Sequence, residues 1–97
     1  MQVMLIDGNI RTTPAMLEFV RDRITHAAGR FAPRVEGVCV SVRDENADKG
    51  GIDKTCKIRA VVGRSMIVVT RSAGDYYEAI AKAAQALRRA IQKRHRS

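Results

Sequence analysis

Two runs of alternating apolar and polar residues constrain the fold of this chain more than any other feature. Residues 38–43 read VCVSVR, and residues 55–60 read TCKIRA. Successive side chains of a strand point to opposite faces of its sheet, so each run predicts a strand with one apolar face and one polar face. The polar faces carry Ser41, Arg43, Lys57 and Arg59. The two runs therefore predict a sheet that packs on a core with one face and meets water with the other.

Two further apolar runs complete the predicted sheet. Residues 1–6 read MQVMLI and lead into a turn of sequence DGN, while residues 66–70 read MIVVT. Gly63-Arg64 predicts a tight hairpin between the third and fourth strands. The fourth run is apolar at every position but one, so periodicity leaves its inward face open. A polar loop, DENADKGGID, separates the two alternating runs.

The segment after the first strand has the signals of a helix. Thr13 is the predicted N-cap, and Pro14 follows at the first helical position, where its missing N–H costs nothing. Gly29 and Pro33 predict the end of the helix. Apolar residues recur at helical spacing at Leu17, Val20, Ile24, Ala27 and Phe31.

A second helix follows the fourth strand. Asp75 is its predicted N-cap, and its apolar stripe comprises Tyr77, Ile80, Ala84, Leu87 and Ile91. The element order is then β-α-β-β-β-α. The simplest layered arrangement is an α+β fold in which two helices cover one face of a four-stranded sheet. A chain of 97 residues is expected to form one such domain, residues 1–97.

Positive charge is concentrated at the C-terminal end of the chain. The net charge is +8, and residues 79–97 contain six Lys or Arg residues and no acid. Lys82, Arg89 and Lys93 are expected opposite the apolar stripe of the last helix, with Arg96 nearby and Arg88 and Arg94 at the sides. The helix dipole favours cations in the last turn but does not explain Lys82, Arg88 or Arg89. This distribution predicts a polyanionic partner, with nucleic acid ahead of an anionic membrane.

The first helix has a basic stripe of its own, formed by Arg23, His26 and Arg30. It flanks the apolar face, so it is expected to edge a groove beside the last helix. Lys57 and Arg59 are expected to extend this surface, which would hold several phosphates of RNA.

Other classes of function find little basis in the sequence. No spacing indicates a nucleophile elbow, a phosphate-binding glycine loop or a metal cluster, so we expect neither an enzyme nor a cofactor nor a metal site. Cys39 and Cys56 form no CxxC pair and are expected on opposite sheet faces, consistent with a reducing cytoplasm. We expect no secretory leader, no membrane segment and no small-molecule substrate.

The chain resembles the ribosome hibernation factor family, also called the ribosome-associated inhibitor or sigma-54 modulation family. The resemblance lies in the element order, in TPAMLEFVRDRI near the start and in DYYEAIAKAAQALRRAIQK near the end. Within the second segment, the pattern comprises Asp75, Tyr77, Ala79, Ile80, Leu87, Arg89 and Lys93.

The resemblance implies a fold similar to double-stranded-RNA-binding domains and a function on the ribosome. It implies binding to small-subunit rRNA in the mRNA and tRNA channel, which blocks translation during stress or stationary phase. Arg23, Arg89 and Lys93 match basic positions of the family, whereas His26 and Ala86 stand where relatives often have Lys. The chain resembles a short form, so pairing of ribosomes would need an additional factor.

Two alternatives stay open at the level of the sequence. A generic double-stranded or regulatory RNA-binding module would have the same electrostatic features. A protein-interaction modulator of transcription is suggested by the older family name.

Overall fold

The six regular elements follow one another in the predicted order, β-α-β-β-β-α. The structure is a computed structural model, and it describes residues 1–45 and 53–94. The elements are β1 (Gln2–Asp7), α1 (Pro14–Ala28), β2 (Val35–Asp44), β3 (Lys54–Val62), β4 (Ser65–Ala73) and α2 (Tyr76–Arg94). A 3₁₀ segment, Gly29–Arg34, links α1 to β2.

The four strands form one mixed sheet in the order β1-β2-β3-β4. β1 and β2 are parallel, so α1 provides the crossover that parallel neighbours require. β2 pairs with β3 and β3 with β4, both in antiparallel orientation. The predicted hairpin is confirmed: Gly63 adopts φ 60°, a conformation that glycine reaches without steric cost.

The start of α1 is capped as predicted. The backbone N–H of Met16 donates to Oγ1 of Thr13 over 3.1 Å, and Pro14 occupies the first turn. The helix ends at Ala28, because Gly29 adopts φ 50° and the chain continues as the 3₁₀ segment. Phe31 belongs to that segment and is half-buried. The prediction that it belongs to the apolar stripe of α1 is therefore wrong.

Both helices pack on the same face of the sheet, and the core lies between the sheet and the helices. Its largest fully buried side chains come from α1, β3 and α2 and include Ile24, Ile58, Ile80, Leu87 and Ile91. On α1, Met16 and Ala28 are buried while Leu17 is half-buried, a small rotation of the predicted stripe. The α+β fold with two helices on one sheet face is confirmed.

The structure decides the orientation of β4, which the sequence left open. Ile67 and Ala73 face the core, whereas Met66 and Val68 lie on the open face of the sheet and are 56% and 49% exposed. The predicted placement of the cysteines is confirmed: Cys56 is buried in the core, and half-buried Cys39 lies on the open face.

Asp75 caps the start of α2 as predicted: it precedes the first helical residue, and its Oδ1 accepts a hydrogen bond of 3.1 Å from the N–H of Tyr77. The prediction that Tyr77 belongs to the buried stripe is wrong, since its side chain is exposed. Its ring instead packs edge-on against Phe19 of α1, with the ring centroids 5.0 Å apart.

The ends of the predicted loop between β2 and β3 are held together by an ionic cluster. Nζ of Lys54 lies 2.9 Å from Asp53 Oδ1 and 3.2 Å from Asp44 Oδ2, and it also lies over the ring of Tyr76. The N–H of Glu45 donates to the carbonyl of Asp53. Residues 46–52 lie outside the described residues.

Candidate nucleic-acid interface

A groove runs between α1 and α2 on the side of the helices away from the sheet. Small residues, among them Ala27 and Ala84, lie along its floor. The side chains that rise beside it are charged or polar. They are Arg23 and His26 from α1, Arg30 from the 3₁₀ segment, and Glu78, Lys82, Gln85, Arg88 and Gln92 from α2. We call this set the helix groove.

Arg23 is positioned by an aromatic pair at one end of the helix groove. Its guanidinium carbon lies 6.0 Å from the centroid of the Phe19 ring, and Phe19 in turn contacts Tyr77. The Nε atom of Arg23 is buried and has no hydrogen-bond partner among the described residues. Packing therefore orients Arg23, and its charge stays available for an anion.

Arg30 is held in a similar way at the other end of the helix groove. Its guanidinium carbon lies 5.0 Å from the centroid of the Phe31 ring. The 3₁₀ segment places Phe31 there, because it turns the chain immediately after Gly29. His26, in the last turn of α1, is exposed and lies between Arg23 and Arg30 in the chain.

The cations of α2 are divided between two surfaces. Arg88 lines the helix groove, whereas Arg89 and Lys93 are exposed but do not line it. Successive helical residues are rotated by about 100°, which carries Arg89 over to the outer side of α2. We call Arg89 and Lys93 the α2 ridge. The prediction that they face away from the core agrees with their exposure.

Lys82 was predicted to be an unpaired cation, but the structure shows it in an ion pair. Its Nζ lies 3.3 Å from Oε1 of Glu78 one turn earlier, and both side chains are about half exposed. Pairs of this kind at i,i+4 stabilise a helix weakly, by about 0.3–0.5 kcal/mol. An anion could therefore displace Glu78 at little cost, but Lys82 does not present a free charge.

Lys57 and Arg59 do not extend the helix groove, and that prediction is wrong. Both lie on the open face of the sheet, because the alternation that buries Ile58 and Ala60 under the helices turns them the other way. The sheet itself separates them from α1 and α2. Arg96, also predicted as a contact, lies outside the described residues.

Among the described residues, Glu78 is the carboxylate that lines the helix groove, and it pairs with Lys82. The ion pairs within residues 1–45 and 53–94 involve Arg43, Lys54 and Lys82, and none includes Arg23, His26, Arg30 or Arg88. These side chains would repel one another in a groove that served only for solvation. The arrangement instead suits several phosphates spaced along two helices.

Sequence reasoning missed two features of this site. Gln85 and Gln92 alternate with the cations along α2 and offer neutral hydrogen-bond donors. The Phe19–Tyr77 pair that supports Arg23 was also missed. A signal existed, since Phe19 and Arg23 are four residues apart on one helix and so share a face.

In residues 1–45 and 53–94, no three His, Cys, Asp or Glu side chains are grouped so that they could hold a metal ion. Neither helix in that part of the chain combines the length and apolar character needed to cross a membrane.

Comparison with known proteins assigns the fold to a family. Residues 5–97 match the family described as "Sigma 54 modulation protein / S30EA ribosomal protein". No sequence among the curated proteins matches the chain.

Two solved structures have the same fold. A ribosomal subunit interface protein from Coxiella burnetii is 12% identical, with full coverage of both chains and a TM-score of 0.87. The N-terminal domain of Protein Y from Thermus thermophilus is 20% identical, covers 98% of this chain and 100% of its own, and has a TM-score of 0.80. The match over residues 5–97 shows that the chain belongs to the sigma-54 modulation protein / S30EA ribosomal protein family, a family of ribosome-associated proteins.

Proposed function

We propose that this protein binds the rRNA of the small ribosomal subunit in the channel for mRNA and tRNA. Occupancy of that channel blocks translation in the cytoplasm and preserves idle ribosomes during stress or stationary phase. The observation that carries the proposal is the helix groove. Arg23, Arg30 and Arg88 line it from separate elements, and none of them forms an ion pair with a carboxylate of the described residues.

The chemistry of the helix groove favours contacts with the RNA backbone. Arginine guanidinium groups bind phosphate oxygens in pairs, and Gln85 and Gln92 can donate to phosphate or ribose oxygens. Structured RNA is recognised largely through its shape and its 2′-hydroxyls, which needs no deep pocket for a base. Binding then releases counterions from the RNA, so affinity falls steeply as salt rises.

Occupancy is sufficient for this function and no reaction is required. A rigid pair of helices seated on rRNA excludes other ligands of the same channel. The family membership supports a ribosomal site, and one of the structural relatives is itself a ribosomal subunit interface protein.

The test is sedimentation of purified small subunits with a double charge reversal in the helix groove. Arg23→Glu with Arg88→Glu should leave the circular dichroism spectrum unchanged and weaken co-sedimentation at least about tenfold, because two phosphate contacts become repulsive. Lys57→Glu with Arg59→Glu is the matched control, since it makes the same change in net charge on the opposite face of the sheet. Equal losses for the two variants would show that net charge, and not the helix groove, determines binding.

Competition distinguishes the channel from other RNA. The protein should exclude tRNA and mRNA from small subunits, and free RNA duplexes should not compete with the subunit. Preference for free duplexes would favour a generic RNA-binding module. Binding that survives high salt and nuclease would favour a protein-interaction modulator of transcription.

A further inference from the structure

The open face of the sheet and the free edge of β4 form a second surface, distinct from the helix groove. We propose that β4 accepts an extended segment of a partner protein as a fifth strand. The segment presents apolar and acidic side chains to the open face, where they meet Met66, Val68, Lys57 and Arg59. This inference does not depend on the proposed RNA site.

The backbone of β4 is suited to strand addition. Within the described residues β4 pairs with β3 alone, so its outer edge carries unpaired N–H and C=O groups. Its pairing with β3 runs from Lys54↔Ala73 to Val62↔Ser65 without a bulge. Proteins usually protect such edges with proline, charged side chains or a bulge. Residues 65–73 contain no proline, and their one charged residue is Arg71, whose guanidinium donates to the carbonyl of Thr70 over 2.7 Å. An extended peptide can therefore pair along residues 65–69 of the strand.

The side chains beside this edge indicate a protein partner. Met66 and Val68 are about half exposed on the open face, and their cross-strand neighbours are Val61 and Arg59. Two outward apolar side chains on an edge strand lose water when a neighbouring strand covers them. RNA phosphates would leave this apolar surface wet.

The charge of the same face indicates acidic side chains on the partner. Lys57 and Arg59 are exposed, and their cross-strand partners on β4 are Thr70 and Val68. Nearby Arg43 is already paired with Glu45, over 3.5 Å. The residues on this face of β3 and β4 include no acid; they are Thr55, Lys57, Arg59, Val61, Met66, Val68, Thr70 and Ser72.

Strand spacing makes these contacts possible. An added strand would lie about 5 Å from β4 and about 10 Å from β3. A glutamate on the added strand and an extended Lys57 or Arg59 together span the second distance. A second copy of this chain fits poorly as the occupant, because each copy has a net charge of +8 and brings no acid to this face.

The probe is a synthetic acetylated peptide of about ten residues. It has valine and glutamate on one face and threonine on the other. We expect saturable binding by fluorescence anisotropy and slower amide exchange along β4 by NMR. The same peptide N-methylated at alternate residues should not bind, because it cannot form a ladder of hydrogen bonds. A peptide with lysine in place of glutamate should not bind either.

Protein variants give the reciprocal of the ribosome experiment. Lys57→Glu with Arg59→Glu should weaken peptide binding at least about tenfold, since both acidic contacts become repulsive. Arg23→Glu with Arg88→Glu, which makes the same change in net charge in the helix groove, should leave peptide binding unchanged.

The proposal would be overturned if the N-methylated peptide bound as well as the parent, or if the protected amides lay outside β4. It would also be overturned if the two double variants lost peptide affinity equally, or if sedimentation equilibrium showed a dimer in which β4 is protected without peptide. Loss of ribosome binding by the Lys57 and Arg59 variant would assign this face to RNA and would overturn it as well.

Discussion

Arg88 and Arg89 are neighbours in the chain but lie on different surfaces of the protein. Arg88 lines the helix groove together with His26 of α1, and Arg89 lies outside it on the exposed side of α2. The described cations of α2 therefore lie on more than one surface and do not form a single stripe. Arg23, Arg30 and Arg88 border a groove, while the α2 ridge is open to solvent on a single helix.

The α2 ridge should contribute to RNA binding less specifically than the helix groove does. Replacing Arg89 and Lys93 by Glu should leave the fold intact and weaken binding to small subunits, because both side chains point outward. The measurement is the affinity at several salt concentrations. Unchanged affinity in a folded variant would remove the α2 ridge from the RNA-binding surface.

Each groove cation that contacts a phosphate should appear in the salt dependence. Arg88→Ala should reduce the slope of log K against log salt by about 0.7–0.9. Arg64→Ala, in the exposed β3–β4 turn, is the control and should leave the slope unchanged. An unaltered slope for Arg88→Ala would mean that this arginine meets no phosphate.

A permanent charge at position 26 should tighten RNA binding. His26→Lys places an ammonium group between Arg23 and Arg30, within the helix groove. We expect severalfold higher affinity for small subunits at pH 7.5 in filter binding. Thr25→Lys adds the same charge to α1 outside the helix groove, beside Met1 and Arg21, and should have little effect. An equal gain from both variants would count against a localised site.

The core between the sheet and the helices should be sensitive to loss of volume. Ile58 is fully buried, so Ile58→Ala should lower the free energy of unfolding by about 2–5 kcal/mol. Thr70→Ala, on the open face of the neighbouring strand β4, should change it by less than about 0.5 kcal/mol. Urea titrations followed by circular dichroism measure both. A small effect at Ile58 would contradict the packing described above.

The two cysteines should differ in reactivity. Burial raises the pKa of the Cys56 thiol to about 12, so almost no thiolate forms at pH 8. Iodoacetamide should therefore modify Cys39 in the native protein and reach Cys56 only after unfolding. Mass spectrometry of Cys39→Ser, which should stay unmodified without denaturant, checks this prediction. Rapid labelling of that variant would show that Cys56 is accessible.

Asp7 should contribute to stability in a way that depends on pH. Its Oδ1 accepts hydrogen bonds from Thr12 Oγ1 over 2.5 Å and from Thr12 N–H over 3.1 Å, and these bonds lower its pKa. A carboxyl whose pKa is lower in the folded state than in the unfolded state stabilises the folded protein at pH values above its unfolded-state pKa, near 4. That contribution is lost as the pH falls through the folded-state pKa. Asp7→Asn should therefore be less stable than the parent at pH 7, and the two proteins should have nearly equal stability at pH values well below 4.

Thr12→Val provides a second measurement of the same effect. It removes the hydroxyl donor but keeps the carboxyl, so its deficit in stability should also shrink as the pH falls. Thermal unfolding of the parent, Asp7→Asn and Thr12→Val, measured from pH 7 to below pH 4, tests the prediction. A deficit for Asp7→Asn that is independent of pH would contradict the role of the carboxylate.

The elements themselves could be predicted from local chemistry. Alternation at residues 38–43 and 55–60 placed the strands and their buried faces, because the period of a strand leaves one choice when one face is apolar. Thr13, Asp75 and Gly63 each act within a few residues of themselves, as a cap or a turn. The family pattern in the last helix is local in the same sense.

The assembly of the site depended on contacts that are distant in sequence. Whether Arg88 or Arg89 faces α1 depends on how α2 rotates against it. Buried small residues of both helices, among them Ala27 and Ala84, line the groove between them. Tyr77 packs against Phe19, which lies 58 residues earlier in the chain. The fold brings these two rings together, and no local pattern could show it. Periodicity assigned Lys57 and Arg59 to the water-facing side of the sheet, but it did not show that the groove between α1 and α2 lies beyond their reach on the far side of the helices.

The sequence by itself determined the order of elements, their caps and the polarity of each face, since these depend on periods and neighbours within a turn or two. The tertiary structure decided which cations share a groove, which face of β4 is open and which edge stays unpaired. These depend on the docking of one element on another, and docking is governed by the shapes of buried side chains from distant parts of the chain.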